Sequence, residues 1–424
     1  MVPIDRRKKL LVYLAMCSVF VDNLGNTGMR PILPALVYRF NKTEAELSFI
    51  LASYPFAQMV SSPVAGALSD HVGRIPLLMI SLAGTSACFL IVFAATSWHF
   101  LMLAYALAGV FGNSQSICSA LISDIIPEES LAKFYSLLGS FLQFSYIAGP
   151  AIGGLLVVIS LEAPFLAISA FGAVVLLLLI ITARKDIVRP HTHASSDVSA
   201  TQSASKSITQ GGNQRPKKLE SKAMVVHFLV VVMCMWMTLS AWSSMGIVYA
   251  YDRLGWGPTE FGAASAIVNL IVILYQVRVM PRLLKRFSPT RCYASALVGL
   301  SLAMATLASV SWVAQLHYIV FPLFNFAYLL LNFSAHTCMS CATMILMMQY
   351  ATPQTRGLLA GLMNTVRMVN QSFAPLAYLK MFQLGHVDKA WLFSSGMAAV
   401  SFVVFVFGPS RGCERKVNSA THAS

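Results

Sequence analysis

One acidic side chain lies deep inside an apolar stretch of this sequence. Asp22 is the carboxyl of the run VYLAMCSVFVDNLGNTGMRPILP, which is long enough to form a membrane-crossing helix. Burying a carboxylate in hydrocarbon costs about 3 kcal/mol or more, so this group needs a cavity and a partner. Desolvation disfavours the ionised form, so Asp22 is predicted to bind and release a proton. The alternative is a structural ion pair with Arg367 or Arg30.

Other polar residues recur at helical spacing within apolar stretches. They are Asn26 and Arg30 after Asp22, then Asn325, Asn332 and His336, and finally Asn364, Arg367 and Gln371. Apolar helices that each carry a polar stripe predict a shared water-filled cavity, although hydrogen bonding between helices is an alternative for Asn and Gln. A guanidinium as deep as that of Arg367 needs a carboxylate, either Asp22 or a bound anion. Arg30 lies near the end of its run and is expected to extend to the membrane interface, with contact to the solute as the alternative.

The predicted solute-contacting set therefore combines these stripes with polar residues of neighbouring stretches. It comprises Asn26, Gln58, Tyr105, Asn332, His336, Asn364, Arg367 and Gln371, with weaker candidates at Asn113, Gln115, Gln143, Trp236, Trp242, Asn269 and Gln276. His336 is a candidate for sharing protons, and a purely structural hydrogen-bond donor is the alternative interpretation.

The elements that position these side chains are predicted to be membrane helices. The 424 residues are 57% hydrophobic and 11% charged, whereas a soluble chain shows about 25% charged residues. Apolar stretches near 20 residues recur along the whole length. About twelve are expected, near 10–30, 46–67, 75–96, 99–122, 131–159, 162–183, 223–247, 260–281, 291–313, 316–346, 355–382 and 388–408. The fold class is therefore an all-α membrane protein.

A polar segment divides these stretches into six and six. Residues 185–222 are rich in Ser, Thr and Gln without apolar periodicity, which predicts a disordered linker. The expected organisation is a first bundle at 1–184, the linker, a second bundle at 223–410 and a tail at 411–424. A weak internal repeat supports two related halves, because the number of residues from Ser136 to Pro150 equals the number from Gly361 to Pro375.

The net charge of +14 is an orientation signal and not a nucleic-acid footprint. Lys and Arg concentrate in alternate loops, on the side of Arg6–Lys9, Arg74 and the linker, which places both termini in the cytoplasm. The first stretch is too long and too polar for a cleaved signal peptide. We expect a multi-pass protein of a plasma or internal membrane, in contact with lipid, binding no nucleic acid and working as a monomer.

Motifs for other chemistry are missing from the sequence. The eight cysteines match neither zinc spacing nor a disulfide framework, and H-E-x-x-H, G-x-S-x-G and nucleotide loops are absent. We therefore expect no enzyme activity, metal or cofactor. Cys413 is a candidate for palmitoylation and Asn41 for glycosylation, with an unmodified side chain as the alternative at each.

A loop between two apolar stretches carries the most specific motif. Gly66, Asp70, Gly73 and Arg74 form G-x3-D-x2-G-R, in which the glycines are expected to allow close approach and a tight turn. This loop resembles the signature between the second and third helices of the major facilitator superfamily. That resemblance implies two six-helix bundles with a cavity between them, and a loop that latches them in one state. Arg356 and Asp124 are the expected neighbours, and a purely topological role is the alternative.

The first half resembles the tetracycline/proton antiporter branch of that superfamily. Asp22 followed by Pro31 and Pro34 matches its first helix, and Gly149 with Pro150 resembles an antiporter motif at which the fifth helix packs and bends. Three departures stand out: Tyr105 replaces an arginine, Cys88 an acid and Ile75 a basic residue of that pattern. Neither tetracycline as cargo nor the standard proton relay of that branch follows.

The function implied by residues and resemblance together is proton-coupled export of a small organic solute. Asp22 would exchange protons, while Arg367 and the polar stripes would contact the solute. Uniport or symport of an organic anion is one alternative, with Arg367 holding the anion and Asp22 balancing charge. A non-transporting membrane receptor of the same fold is another.

Overall fold

The computed structural model describes residues 6–187, 222–312, 317–345 and 356–407, and every regular element within them is helical. In the first half the helices are α1 (Arg6–Met29), α2 (Leu33–Arg39), α3 (Glu44–Val72), α4 (Arg74–Phe93), α5 (Trp98–Phe111), α6 (Ser114–Ile125), α7 (Glu128–Leu156) and α8 (Ala163–Ile187). In the second half they are α9 (Lys222–Ala241), α10 (Ile247–Leu254), α11 (Pro258–Leu274), α12 (Met280–Arg286), α13 (Pro289–Trp312), α14 (His317–Ile345), α15 (Arg356–Gln383) and α16 (Val387–Phe407).

Eight helical segments of the described chain are long and apolar enough to cross a membrane. The long helices outside that set include α3, α7 and α15, which carry more polar residues. These three pack at the junction of the halves, where α3 contacts α15 and α7 contacts α11. Lower hydropathy therefore accompanies helices that face protein rather than lipid alone.

Local signals set the turns between neighbouring spans. Thr43 and Glu46 form a capping box that begins α3, with the Thr43 backbone N–H donating to Glu46 Oε2 at 2.9 Å. Gly73 separates α3 from α4 at a φ of +97°, a conformation that disfavours residues with a Cβ. We call the two ends of the molecule the Thr43 end and the Gly73 end after these residues.

The predicted turn at Gly66 is wrong. This residue lies inside α3, which continues to Val72, and a Cβ built on it would meet nothing within 4 Å. A helix can continue through glycine at a cost of about 1 kcal/mol, so the residue type alone does not end it. The tight turn is made by Gly73.

Three predicted spans are interrupted in ways that the sequence pattern does not show. The stretch 99–122 is two helices, α5 and α6, separated at Gly112 and Asn113. In the second half, π-helical segments join α9 to α10 at Trp242–Gly246 and α11 to α12 at Tyr275–Val279. Such interruptions are common at functional sites, and the first two border the cavities described below.

Most of the predicted linker 185–222, and the whole tail 411–424 with Cys413, lie outside the described residues. The described helices end at Ile187 and resume at Lys222, which is compatible with the predicted boundary between halves.

Candidate transport site

Asp22 lies in a polar pocket at the centre of the first half. Its side chain is 2% exposed, and Tyr54 Oη donates to its Oδ1 at 3.4 Å. The hydroxyl and backbone N–H of Ser114, at the start of α6, also hydrogen-bond to this carboxyl. Among the described residues Asp22 makes no ion pair, so neither proposed structural partner, Arg30 or Arg367, locks it.

The interruption between α5 and α6 brings the beginning of α6 to Asp22. Side chains of neighbouring helices bind the carbonyls that the break frees: Gln58 donates to Gly112 O and Ser81 to Phe111 O. Asn113 Nδ2 donates to Ser61 Oγ at 2.9 Å. A helix N-terminus carries partial positive charge, so this break places a fixed electrostatic stabiliser beside a buried carboxyl.

Three cavities meet between the two halves. A head cavity of about 20 Å³ is lined by Asp22, Asn23, Asn26, Arg30, Tyr54, Gln58, Gly112, Gln115, Tyr146, Arg367 and Gln371. A side cavity of about 20 Å³ extends from it towards Leu51 and Pro375. A large cavity of about 220 Å³ extends into the second half. Arg30 and Gln371 line all three cavities, so these two residues mark the point where they join.

The large cavity has a different chemical character from the head cavity. Its walls include the aromatic residues Trp236, Trp242, Phe261 and Tyr328, with Tyr146 from the first half. The Trp242 and Tyr328 rings stack with centroids 4.5 Å apart. Ser240 also lines it, and the buried Ser240 hydroxyl has no hydrogen-bond partner among the described residues. The second half therefore supplies an apolar, aromatic wall opposite a polar one.

The two guanidiniums of the head cavity come from different halves. Arg30 belongs to α1 and Arg367 to α15, and within the described chain neither forms an ion pair. Arg367 Nη2 donates to Asn364 Oδ1 at 2.8 Å, one turn earlier on α15. The head cavity thus holds two fixed positive charges and one carboxyl.

The position of Arg30 differs from the one predicted from the sequence. It was expected to extend to the membrane interface, yet it lines each of the three cavities. The position of a residue along an apolar stretch does not specify which side of the helix its side chain occupies. Since Arg30 follows Asp22 by eight residues, about two turns, both side chains lie on one face of α1.

The structure brings most of the predicted solute-contacting residues to these cavities. Asn26, Gln58, Arg367 and Gln371 line the head cavity, and Tyr105 lines the side cavity, where its hydroxyl donates to Asn26 Oδ1 at 3.1 Å. Asn332 lines the large cavity, although its amide also donates to Tyr328 O at 2.8 Å. Asn364 acts through Arg367. The side chain of His336 is outside the described part of the chain.

Several cavity residues were not predicted. Tyr54 contacts Asp22, Tyr146 lines two cavities, and Phe261 and Tyr328 form the aromatic wall. Aromatic residues are common throughout the apolar stretches, so their type carried no signal. Helical spacing from Asn332 was a usable signal for Tyr328, which precedes it by one turn.

At the Gly73 end, Arg74 pairs with Asp124 of the same half. Arg74 Nε lies 3.0 Å from Asp124 Oδ2, as the sequence suggested for these neighbours, and Arg74 also donates to Ser69. Both side chains are partly exposed, so the pair contributes less than about 1 kcal/mol. The side chains of Asp70 and of the other expected neighbour, Arg356, are not among those described.

At the Thr43 end, small residues let three helices approach closely. Gly149 of α7 packs on Thr27 and Gly28 of α1, while Gly154 of α7 faces Gly262 of α11 in the other half. A Cβ on Gly262 would lie 2.9 Å from Gly154 Cα and 2.5 Å from Pro150 O. Tyr251 Oη adds a hydrogen bond of 2.9 Å to Pro31 O across the halves. This end is closed in the structure.

Comparisons with known proteins agree with this architecture. The sequence profile of the Major Facilitator Superfamily matches residues 15–375, so the chain belongs to this family of membrane transporters. It is a multi-pass transport protein and not an enzyme.

Its relatives include two bacterial proteins that confer drug resistance. The chain is 23% identical to the class H tetracycline resistance protein of Pasteurella multocida, over 74% of this chain and 76% of the relative. It is 23% identical to the class B protein of Escherichia coli, over 93% and 94%. The solved structure of a peptide transporter bound to sulfate has the same fold, with a TM-score of 0.75, 14% identity and 95% of each chain covered.

Proposed function

We propose that this chain exports a small organic solute in exchange for protons, by alternating access between its two halves. One observation carries the proposal: buried Asp22 of the first half and Arg367 of the second half line the same cavity. The resistance proteins among its relatives support export, because a transporter that confers drug resistance removes the drug from the cell.

Each part of the cavity system has a role in this cycle. Asp22 holds a proton in one state and releases it in the other, while Tyr54 and Ser114 stabilise the ionised carboxylate. Arg367, Gln371 and Asn332 contact the solute. The glycine contacts of α7 and α11 close the Thr43 end, and the Arg74 loop acts at the opposite end as the latch.

Orientation and assembly belong to the same proposal. Both termini are cytoplasmic by the distribution of Lys and Arg, so the closed Thr43 end faces outward and the cavities load from the cytoplasm. The monomer is the working unit, because the cavities lie between the halves of one chain.

A second candidate is uniport or symport of an organic anion. The excess of positive charge in the head cavity favours it, since Arg30 and Arg367 face one carboxyl. Asp22 would then only balance charge. The two candidates differ in whether proton movement depends on Asp22.

The decisive experiment measures solute-driven proton movement in proteoliposomes that enclose a pH-sensitive dye. Organic cations, anions, zwitterions and neutral drugs are added in turn, with and without an imposed pH gradient. Exchange predicts that at least one solute drives protons in the opposite direction, and that Asp22→Asn abolishes this movement. Glu162→Gln, which removes a carboxyl paired with Arg39 outside the cavities, is the matched control and retains it.

If Asp22→Asn protein still moves protons against solute, Asp22 is not the coupling group. Solute movement that never involves protons would instead support the anion uniporter. Failure of every solute to move, with folded protein confirmed by its thermal unfolding, would favour a receptor of the same fold.

A further inference from the structure

The head cavity and the large cavity differ in both size and chemistry. At about 20 Å³, the head cavity admits one group the size of a water molecule or an ammonium. The large cavity, at about 220 Å³, admits a ring system, and Trp236, Trp242, Phe261 and Tyr328 supply apolar faces for it. Arg30 lines both, so its guanidinium lies where the head and body of one occupant would join.

The charged residues are also distributed unequally between the two cavities. Asp22 is confined to the head cavity and does not line the large one. A small cation in the head cavity would meet this carboxylate, and an anionic group at the junction would meet Arg30, with Gln371 as a second donor. The ammonium of a zwitterion would pair with Asp22 and its carboxylate with Arg30, whereas a cation or an anion alone would leave one of these two groups without a counter-charge. The second guanidinium, that of Arg367, is bound to Asn364 Oδ1.

We infer that the cargo is an aromatic zwitterion of the amino-acid type, with an amine and a carboxylate at one end and a flat ring at the other. The ammonium lies against Asp22 in the head cavity, the carboxylate lies at Arg30, and the ring packs on the aromatic wall of the second half. This inference rests on the proposed function and names its substrate class.

The assignment also explains how cargo and proton exclude one another. Ammonium and proton bind the same carboxyl, so loading one displaces the other, which is the requirement for exchange. An anionic cargo without an amine would instead bind together with the proton, because protonating Asp22 removes its negative charge. The charged and titratable groups facing Asp22 are Arg30, Tyr54, Tyr146 and Arg367, and the Tyr105 ring packs at a tilt against that of Tyr54. Asp22 is the acid among them.

The unpaired hydroxyl of Ser240 indicates which polar group the ring of the cargo carries. It is buried and lines the large cavity beside Trp236 and Trp242. A ring that carries an N–H donor would satisfy this oxygen, whereas a hydrocarbon ring would leave it without a partner. An indole is therefore a better probe than a phenyl ring.

The test uses purified full-length protein and four probes that differ in one group each. L-tryptophan carries both charges, N-acetyl-L-tryptophan lacks the cation, tryptamine lacks the anion, and L-alanine lacks the ring. Binding is measured by calorimetry at two pH values. Tryptophan is expected to bind 10- to 100-fold more tightly than either single-charge analogue, as for a charged hydrogen-bonded pair. Alanine is expected not to bind.

Variants assign each charge to its partner. Asp22→Asn is expected to abolish the preference for tryptophan over N-acetyl-tryptophan, and Arg30→Gln the preference over tryptamine. Because each variant still binds one analogue, loss of folding is recognised separately. Arg253→Gln, on the surface beside Asp252, is the control and changes none of the ratios. Below the pH at which Asp22 takes up its proton, tryptophan affinity should fall by about tenfold per pH unit.

Equal binding of tryptophan and both single-charge analogues would overturn the inference, as would tighter binding of N-acetyl-tryptophan. The proton-movement assay separates this failure from that of the proposed function. If an organic cation drives proton movement while tryptophan neither binds nor is transported, the proposed proton exchange is supported and the zwitterionic cargo is rejected. If tryptophan binds with the expected ratios but moves no protons, the binding site stands and proton exchange does not.

Discussion

Tyr54 is the residue through which the proton affinity of Asp22 can be adjusted without removing the carboxyl. Its hydroxyl donates to Asp22 at 3.4 Å and stabilises the ionised form. In Tyr54→Phe this donor is lost, so the carboxyl keeps its proton to higher pH. The pH of half-maximal transport is expected to rise by less than about 1 unit, since a hydrogen bond to a charged group is worth about 1.5 kcal/mol and this one, at 3.4 Å, is longer than usual.

Tyr105→Phe is the matched control for that measurement. Its ring lies 5.3 Å from that of Tyr54, but its hydroxyl donates to Asn26 and not to the carboxyl. A change in transport rate with an unchanged pH midpoint is expected. An equal shift in both variants would show that packing of the two rings, and not the donated hydrogen bond, determines the midpoint.

The sequence identifies charged site residues better than aromatic ones. Asp22 and Arg367 stand out because a charge inside an apolar run needs a reason. Trp242 was a weak candidate, and Phe261 and Tyr328 were missed. An aromatic residue in an apolar helix can face lipid as readily as a cavity, so its type alone does not indicate a site. Arg30 was placed in the right helix with the wrong partners, because its direction depends on how α1 rotates in the bundle.

At the level of helices, the crossing of α7 and α11 holds the Thr43 end closed. Gly262→Ala would put a methyl group 2.5 Å from Pro150 O, between two backbones that cannot yield as side chains do. Overpacking of this kind costs about 1–3 kcal/mol, so the ratio of closed to open protein should fall about tenfold. A cysteine introduced at Leu51, in a background without the native cysteines, should then react about tenfold faster with an impermeant maleimide.

Gly139→Ala tests the same substitution on α7 where there is room for it. A Cβ there would meet nothing within 4 Å, so no change in maleimide reaction rate is expected. Identical rates for wild type and Gly262→Ala would mean that the glycine contact does not limit opening.

Helix positions follow from the sequence, whereas their interruptions do not. Long apolar runs and turn residues such as Gly73 predict most spans. The break at Gly112 and Asn113 contains no proline that would predict it. It is stabilised by side chains of α3 and α4 that lie far away in sequence. The π-helical segments likewise depend on packing that local pattern cannot report.

For the whole molecule, the interface between halves should hold without a covalent connection. Helices α3 and α15, and α7 and α11, contact each other across it. Residues 1–204 and 205–424 expressed as two chains are therefore expected to co-purify through a tag on one of them and to retain solute-driven proton movement. Two pieces that fail to associate would contradict the proposed division into halves.

The break before α6 also determines which groups stay together around the buried carboxyl. Because Gln58, Ser61 and Ser81 hydrogen-bond it to α3 and α4, Asp22 and its neighbours Tyr54 and Ser114 belong to one hydrogen-bonded unit of the first half. Arg367 belongs to the second half. If the halves rock as proposed, the arrival or departure of this guanidinium would change the local field at the carboxyl and so couple the movement to proton release without a relay of side chains.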